Sequence, residues 1–212
     1  MPATIIGILT SYFIGSIPTA YIFVKLLKKA DIRQFGSGNV GATNASRILG
    51  KKIGMLILFL DMFKGLVPVV LLPGVIMNYN ASMQMDLMRI LFGLSAIIGH
   101  IWTVFLNFKG GKGMATMLGV LIGMAFTVDG INIVLGLVLL TWLAIFIITR
   151  IISISSVAAS LGLPLYMMFV TRDKMFVSLS AVVSLLIILR HKSNLKRLFQ
   201  GQEPKFFFKK QK

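Results

Sequence analysis

The chain has 212 residues, 57% hydrophobic and only 13% charged, with a mean hydropathy of +0.89. A soluble domain is about a quarter charged, so a water-soluble fold is excluded and an integral membrane protein is expected. The formal net charge of +16 then reads as basic loops against anionic headgroups, with anionic substrates in view and nucleic acid not expected as a partner. The absence of cysteine excludes disulfides, thiolate metal sites and a cysteine nucleophile.

The opening sequence MPATIIGILT lacks a basic n-region, so the first apolar run, about residues 4–24, is expected to remain as a span. A basic segment, 25–52, follows it. The second run covers about 53–77 and ends in the polar turn NYNASMQMD. The third covers about 87–106 and leads into FKGGKG. The fourth, about 114–128, is short and stops at Asp129-Gly130. The fifth covers 131–149 and stops at Arg150, and the sixth covers 151–170 and closes on TRDK. The seventh covers about 175–189, with a basic tail after it. Runs near 20 residues match the hydrocarbon core of a bilayer. The expectation is an all-α polytopic protein with about seven transmembrane helices, one membrane-embedded domain over 1–212 and a basic tail from about residue 190.

Lysine and arginine give the orientation. With the N-terminus outside and the C-terminus cytoplasmic, eighteen of the 22 basic residues fall on the cytoplasmic side. Arg89, Arg172 and Lys174 fall near the outer face, and Lys64 lies within the second span. The polar motifs then share the cytoplasmic boundary.

The first motif is GSGNVGATNASR, residues 36–47. Its glycines allow close backbone approach to a ligand. Ser37, Asn39, Thr43 and Asn44 offer hydrogen-bonding groups, and Arg47 offers a planar fork suited to phosphate or carboxylate. A flexible loop with a surface arginine is the plainer alternative. In the second motif, Lys109, Gly110, Gly111, Lys112 and Gly113 precede the fourth span. Successive glycine N–H groups can form an anion nest, and a helix N-terminus adds donors and a positive dipole end. The spacing is not that of a Walker A loop.

His100, inside the third span, is a candidate for chemistry or for an interhelical hydrogen bond. Asp61 and Lys64 are three apart on one helix face and are expected to pair structurally. Trp102 and Trp142 read as packing or interface anchors. Ser153, in RIISISS, can reach a cytoplasmic cavity from the start of the sixth span. His191, Asn194 and Arg197 are spaced three apart in the tail, and Phe206–Phe208 suit an interfacial anchor. Nothing in the sequence requires a metal or a cofactor.

Taken together and in order, GSGNVGATNASR, GHIWTVFLNFKGGKGMAT and HKSNLKRLFQGQE resemble the bacterial acyl-phosphate:glycerol-3-phosphate acyltransferase family, the PlsY type. LDMFKG in the second span adds to the likeness, which covers nearly the whole chain. Lys192 departs from it, standing where the family often has arginine; charge is kept but a bidentate contact is lost.

The resemblance implies a seven-span enzyme of the bacterial inner membrane, active at the cytoplasmic face. It would move a fatty acyl group from acyl phosphate to the 1-hydroxyl of glycerol 3-phosphate, giving lysophosphatidic acid and phosphate in phospholipid biosynthesis. Ser37, Arg47, His100, Lys112, His191 and Asn194 are the positions it carries over. Lys112 and the glycine nest are expected to face a phosphate and the developing negative charge. Arg47, Ser37 and Asn194 are expected to position glycerol 3-phosphate, with Lys109 and Arg197 assisting. His100, His191 or the donor phosphate would accept the proton, and Glu203 is expected to be structural. A transporter or anion channel with a basic cytoplasmic mouth, and a lipid-binding scaffold, are the rival readings.

Overall fold

The computed structural model describes residues 2–77 and 84–206 and is all-helical among them. Two compact units divide the chain, Met1–Val128 and Asp129–Lys212. In the first, α1 (Pro2–Ser16) and α2 (Thr19–Lys28) form one apolar path, followed by α3 (Ala42–Leu49), α4 (Lys51–Met77), α5 (Met85–Ile101) and α6 (Met114–Ala125). In the second, α7 (Ile131–Thr149), α8 (Ile152–Val170), α9 (Lys174–Arg190) and α10 (Lys192–Phe199) follow in order. Part of the polar turn expected after the second run, 78–83, lies outside the described residues, as do Phe207 and Phe208.

Helices are the form these sequences must take in lipid, where every backbone N–H and C=O needs a partner within its own segment. Among the described residues, five helical runs, the α1–α2 path counted as one, are long and apolar enough to cross a bilayer, and α9 joined to α10 across a 56° bend makes a sixth. The fourth expected span is shorter than expected. With 12 residues, α6 reaches only about 18 Å at 1.5 Å per residue, well below a ~30 Å hydrocarbon core. The chain is a multi-pass membrane protein on these lengths and compositions.

Packing in the first unit depends on backbones coming very close, the usual route to helix association where lipid removes the hydrophobic driving force. A methyl at Gly15 of α1 would lie 2.1 Å from the carbonyl oxygen of Ala96 on α5. One at Gly119 of α6 would lie 1.8 Å from the carbonyl oxygen of Met62 on α4. Side-chain donors stitch α1 to α5: Ser95 Oγ donates to Ile8 O at 2.7 Å, and Tyr12 Oη donates to Trp102 O at 2.7 Å.

Pro18 breaks the first apolar path, because it lacks an N–H and its ring disfavours the helical conformation before it. The carbonyls freed at the break are taken by neighbouring helices. Thr103 Oγ1 donates to Ser16 O at 2.5 Å, and the Lys64 ammonium donates to Ile17 O.

In the second unit hydroxyls do the stitching. Thr141 and Tyr166 bond across α7 and α8 at 2.6 Å, and Ser184 Oγ donates to Ser160 O at 2.6 Å across α8 and α9. Trp142 is a packing residue: its ring stacks on Phe146 at 4.9 Å and its Nε1–H donates to Ser156 Oγ at 3.3 Å. The tight turn expected at Arg150 is present, with that residue left-handed at φ 57° and its N–H donating to Phe146 O at 2.8 Å.

Candidate active site

Asn44 builds the first candidate loop. Its side chain is nearly fully buried and spends its polar atoms on backbone. Oδ1 accepts from Ser37 N–H at 3.0 Å, and Nδ2 donates to Phe35 O at 2.9 Å and Ile32 O at 3.3 Å. Gly36 and Gly38 take the left-handed turns this needs, at φ +57° and +68°. A side chain at Gly36 would strike Asn44 Oδ1, and the Arg47 Cδ lies only 3.9 Å from the same point. Ser37 and Arg47, both exposed, therefore stand over the turn that Asn44 fastens, with Asn39 half-buried beside them. Asp31 caps the start of a short 3-10 turn, Ile32–Gln34, before this loop. Its side chain accepts from Arg33 N–H at 2.9 Å and pairs with Arg33 Nη2 at 2.6 Å, which holds its carboxyl below the usual range.

The glycine loop differs from its expected form. The Gly110 N–H donates to Ile101 O at 3.1 Å and the Gly111 N–H to His100 O at 3.0 Å. Both amides thus close off the last carbonyls of α5, which are orphans at any helix end, and are not turned outward as an anion nest. The glycines serve close approach instead. A methyl on Gly110 would lie 2.2 Å from His100 O, and one on Gly111 would lie 2.3 Å from His100 Nε2 and 3.0 Å from Val40 O. Gly113 supplies the positive φ, +82°, from which α6 starts. Lys109 is exposed and Lys112 half-buried on this strap. Because Val40 belongs to the 36–47 loop and touches Gly111, the first two motifs meet.

Beneath the strap lies a polar cleft lined by Ser16, Thr19, Asp61, Lys64, His100 and Thr103 among others. Asp61 and Lys64 pair as expected, Nζ to Oδ1 at 2.5 Å, both nearly fully buried. Thr19 Oγ1 joins them: it donates to Asp61 Oδ1 and accepts from Lys64 Nζ at 3.1 Å. His100, 8% exposed, places Nδ1 3.9 Å from Asp61 Oδ1 and Nε2 against Gly111. Thr19 was not singled out from the sequence; a threonine after a proline in an apolar run carries no distinctive signal.

The second unit gathers three of its candidates around Glu203. Ser153 Oγ donates to Oε1 at 2.7 Å, Asn194 Nδ2 to Oε1 at 2.6 Å, and Arg197 Nε to Oε2 at 2.8 Å. Burial raises the pKa of this carboxyl, but the three donors and the arginine charge outweigh burial and hold it below its ordinary value. The structural part expected of Glu203 is therefore visible as a hub. His191 is buried at the α9–α10 bend, its Nδ1 2.8 Å from Ile187 O. Phe206 packs its ring 5.9 Å from Phe146, and its N–H donates to Arg150 O at 2.7 Å.

The chain is similar over nearly its whole length to proteins of one family. A sequence profile of the family described as glycerol-3-phosphate acyltransferase matches residues 5–201. The glycerol-3-phosphate acyltransferase of Macrococcus caseolyticus is 40% identical over 204 residues, spanning 96% of this chain and 97% of its own. That of Fusobacterium nucleatum is 38% identical over 205 residues, spanning 95% and 97%. Among solved structures, the integral membrane glycerol 3-phosphate acyltransferase PlsY in its glycerol 3-phosphate form is 35% identical, with a TM-score of 0.83 and 96% of both chains covered. Its lysophosphatidic acid form is 34% identical, with a TM-score of 0.80 and coverage of 96% of this chain and 95% of that one. The transporter or channel alternative finds no support in these likenesses.

Proposed function

The chain belongs to the glycerol-3-phosphate acyltransferase family, and from that premise we propose that it transfers a fatty acyl group from acyl phosphate to the 1-hydroxyl of glycerol 3-phosphate. Lysophosphatidic acid and inorganic phosphate are the products. The reaction runs at the cytoplasmic face of a bacterial inner membrane, which the excess of lysine and arginine on that side supports. The single observation that carries this assignment is the junction at Val40 and Gly111, which sets the exposed Ser37–Arg47 loop against the strap that bears Lys112.

Acyl phosphate is a mixed anhydride with a good leaving group, so no covalent enzyme intermediate is needed. The 1-hydroxyl oxygen attacks the acyl carbonyl, the bond from that carbon to the phosphate oxygen breaks, and phosphate leaves. Binding both reactants replaces a bimolecular encounter, and a fixed cation opposite the tetrahedral oxyanion lowers its barrier. Lys112 and the α6 N-terminus at Gly113 serve the phosphate and that charge, with Lys109 assisting. Arg47 and Ser37 hold glycerol 3-phosphate, while Asn39 and Asn44 act through the shape of the turn. Gly110 and Gly111 act by fixing the strap.

For His191 and Asn194 the family likeness supports catalytic and substrate-binding parts; Ser153 and Arg197, which meet Asn194 on the same Glu203 carboxylate, assist in binding. The hydroxyl proton goes to His191 or to the donor phosphate. His100, wedged between Asp61 and Gly111, is less suited to receive it.

The test is direct. Purified protein given acyl phosphate and labelled glycerol 3-phosphate should form labelled lysophosphatidic acid with one phosphate released per acyl group. A parallel reaction with acyl-CoA identifies the donor. Absence of labelled lipid with either donor would overturn the reading.

A further inference from the structure

The buried charges of the second span have a place in this reaction that pairing alone does not describe. Asp61 and Lys64 sit on α4, Thr19 opens α2, and His100 closes α5, so three helices meet at one cluster. Lys64 and His100 also hold backbone that the strap depends on. Lys64 donates to Ile17 O at the proline break, next to Ser16, whose carbonyl accepts from Thr103. Thr103 O in turn accepts the Phe108 N–H at 2.9 Å, immediately before Lys109. On the other side, Asp61 stands behind His100, whose Nε2 forms the floor under Gly111 and whose carbonyl accepts the Gly111 N–H. The loop carrying Lys112 is thus seated on the cluster at both ends.

We propose that Thr19, Asp61 and Lys64 are positioning residues for the acyl transfer. They fix His100 and Thr103, and through them set the glycine strap at the height where Lys112 meets its anion. The proposal rests on the acyltransferase reading for its kinetic consequences, but its structural half stands apart from it. A buried ion pair is a weak source of net stability, because desolvation offsets attraction. Geometry is what this pair supplies: a floor that cannot shift without breaking a charge contact. A ligand-binding strap displaced by about 1 Å can lose on the order of a hundredfold in rate.

Thr19→Val removes the bridging hydroxyl at nearly constant volume, and Thr19→Ser restores it. In the valine variant kcat should fall at least about tenfold, while the KM for glycerol 3-phosphate stays within about twofold. Hydrogen exchange at the Gly110 and Gly111 amides should quicken by about tenfold or more. The serine variant should return both readouts to wild type. Asp61→Asn combined with Lys64→Met leaves no unpaired charge, so its thermal midpoint should stay near wild type while turnover remains low and strap exchange fast.

A double variant with wild-type turnover, or a Thr19→Val protein with unchanged exchange, overturns the proposal. A wild-type protein that makes no labelled lipid defeats the acyltransferase reading instead, and the exchange measurement then decides the positioning claim alone.

Discussion

Two carboxylates, one in each unit, are each paired with a cation but sit in different surroundings. Asp61 lies inside a span, 2% exposed, and meets a lysine one turn away and a threonine from another helix. Glu203 lies beyond the last helix and collects a serine, an asparagine and an arginine from α8 and α10. Inside a bilayer an unpaired charge is so costly that a carboxylate needs a cation beside it. At the boundary, two neutral donors share the load with a partly exposed arginine, and the carboxylate can serve as a staple for the chain end. The first unit should therefore be brittle to charge changes and the second tolerant of them.

The largest break should come from Lys64→Met alone. It strands Asp61 as a buried anion and leaves Ile17 O without the ammonium, at an expected cost of about 3–5 kcal/mol. Thermal unfolding in detergent should show the protein close to its folding limit, and adding Asp61→Asn should recover most of the loss.

Next is Gly119→Ala. Its methyl would overlap Met62 O and force α6 from α4, at about 3 kcal/mol, read in the same unfolding experiment. Glu203→Gln should be milder, about 1–3 kcal/mol, because Ser153 and Asn194 keep an acceptor while the Arg197 pair is lost.

The pH dependence sharpens the contrast. The folded Glu203 carboxyl titrates below its ordinary value of 4.5, so its stabilisation is fully present above that pH and is lost as pH falls below it. The thermal-midpoint gap between wild type and Glu203→Gln should accordingly be flat at neutral pH and close on acidification below 4.5. Smallest of all, Trp142→Phe keeps the ring packing and removes one hydrogen bond to Ser156, at about 0.5–1.5 kcal/mol.

Much of the fold was legible because apolar run length and bilayer thickness are tied together. The Arg150 turn could be read from a charge interrupting two apolar runs. That the fourth run is short was legible, but its end at Ala125 was harder to see, since Phe126 and Val128 continue the apolar pattern after the helix ends. The two glycine-rich motifs were visible from glycine, serine and basic residues at span edges. Their inner workings were not. Composition could not show that the Gly110 and Gly111 amides are already bonded to α5, or that Asn44 points inward. Both facts depend on which carbonyls a helix end leaves open, and only the packed chain settles that. Thr19 escaped notice because one hydroxyl in an apolar run acquires meaning only from the helices around it.

Lys112 on the glycine strap is proposed to serve acyl transfer to glycerol 3-phosphate. Initial rates of labelled lysophosphatidic acid formation from acyl phosphate, compared between wild type and Lys112→Met at matched folded protein, test it most directly. Wild type should give robust product, and the variant should show a drop on the order of a hundredfold or more. Equal rates in the two proteins, or no labelled lipid from wild type, would contradict it.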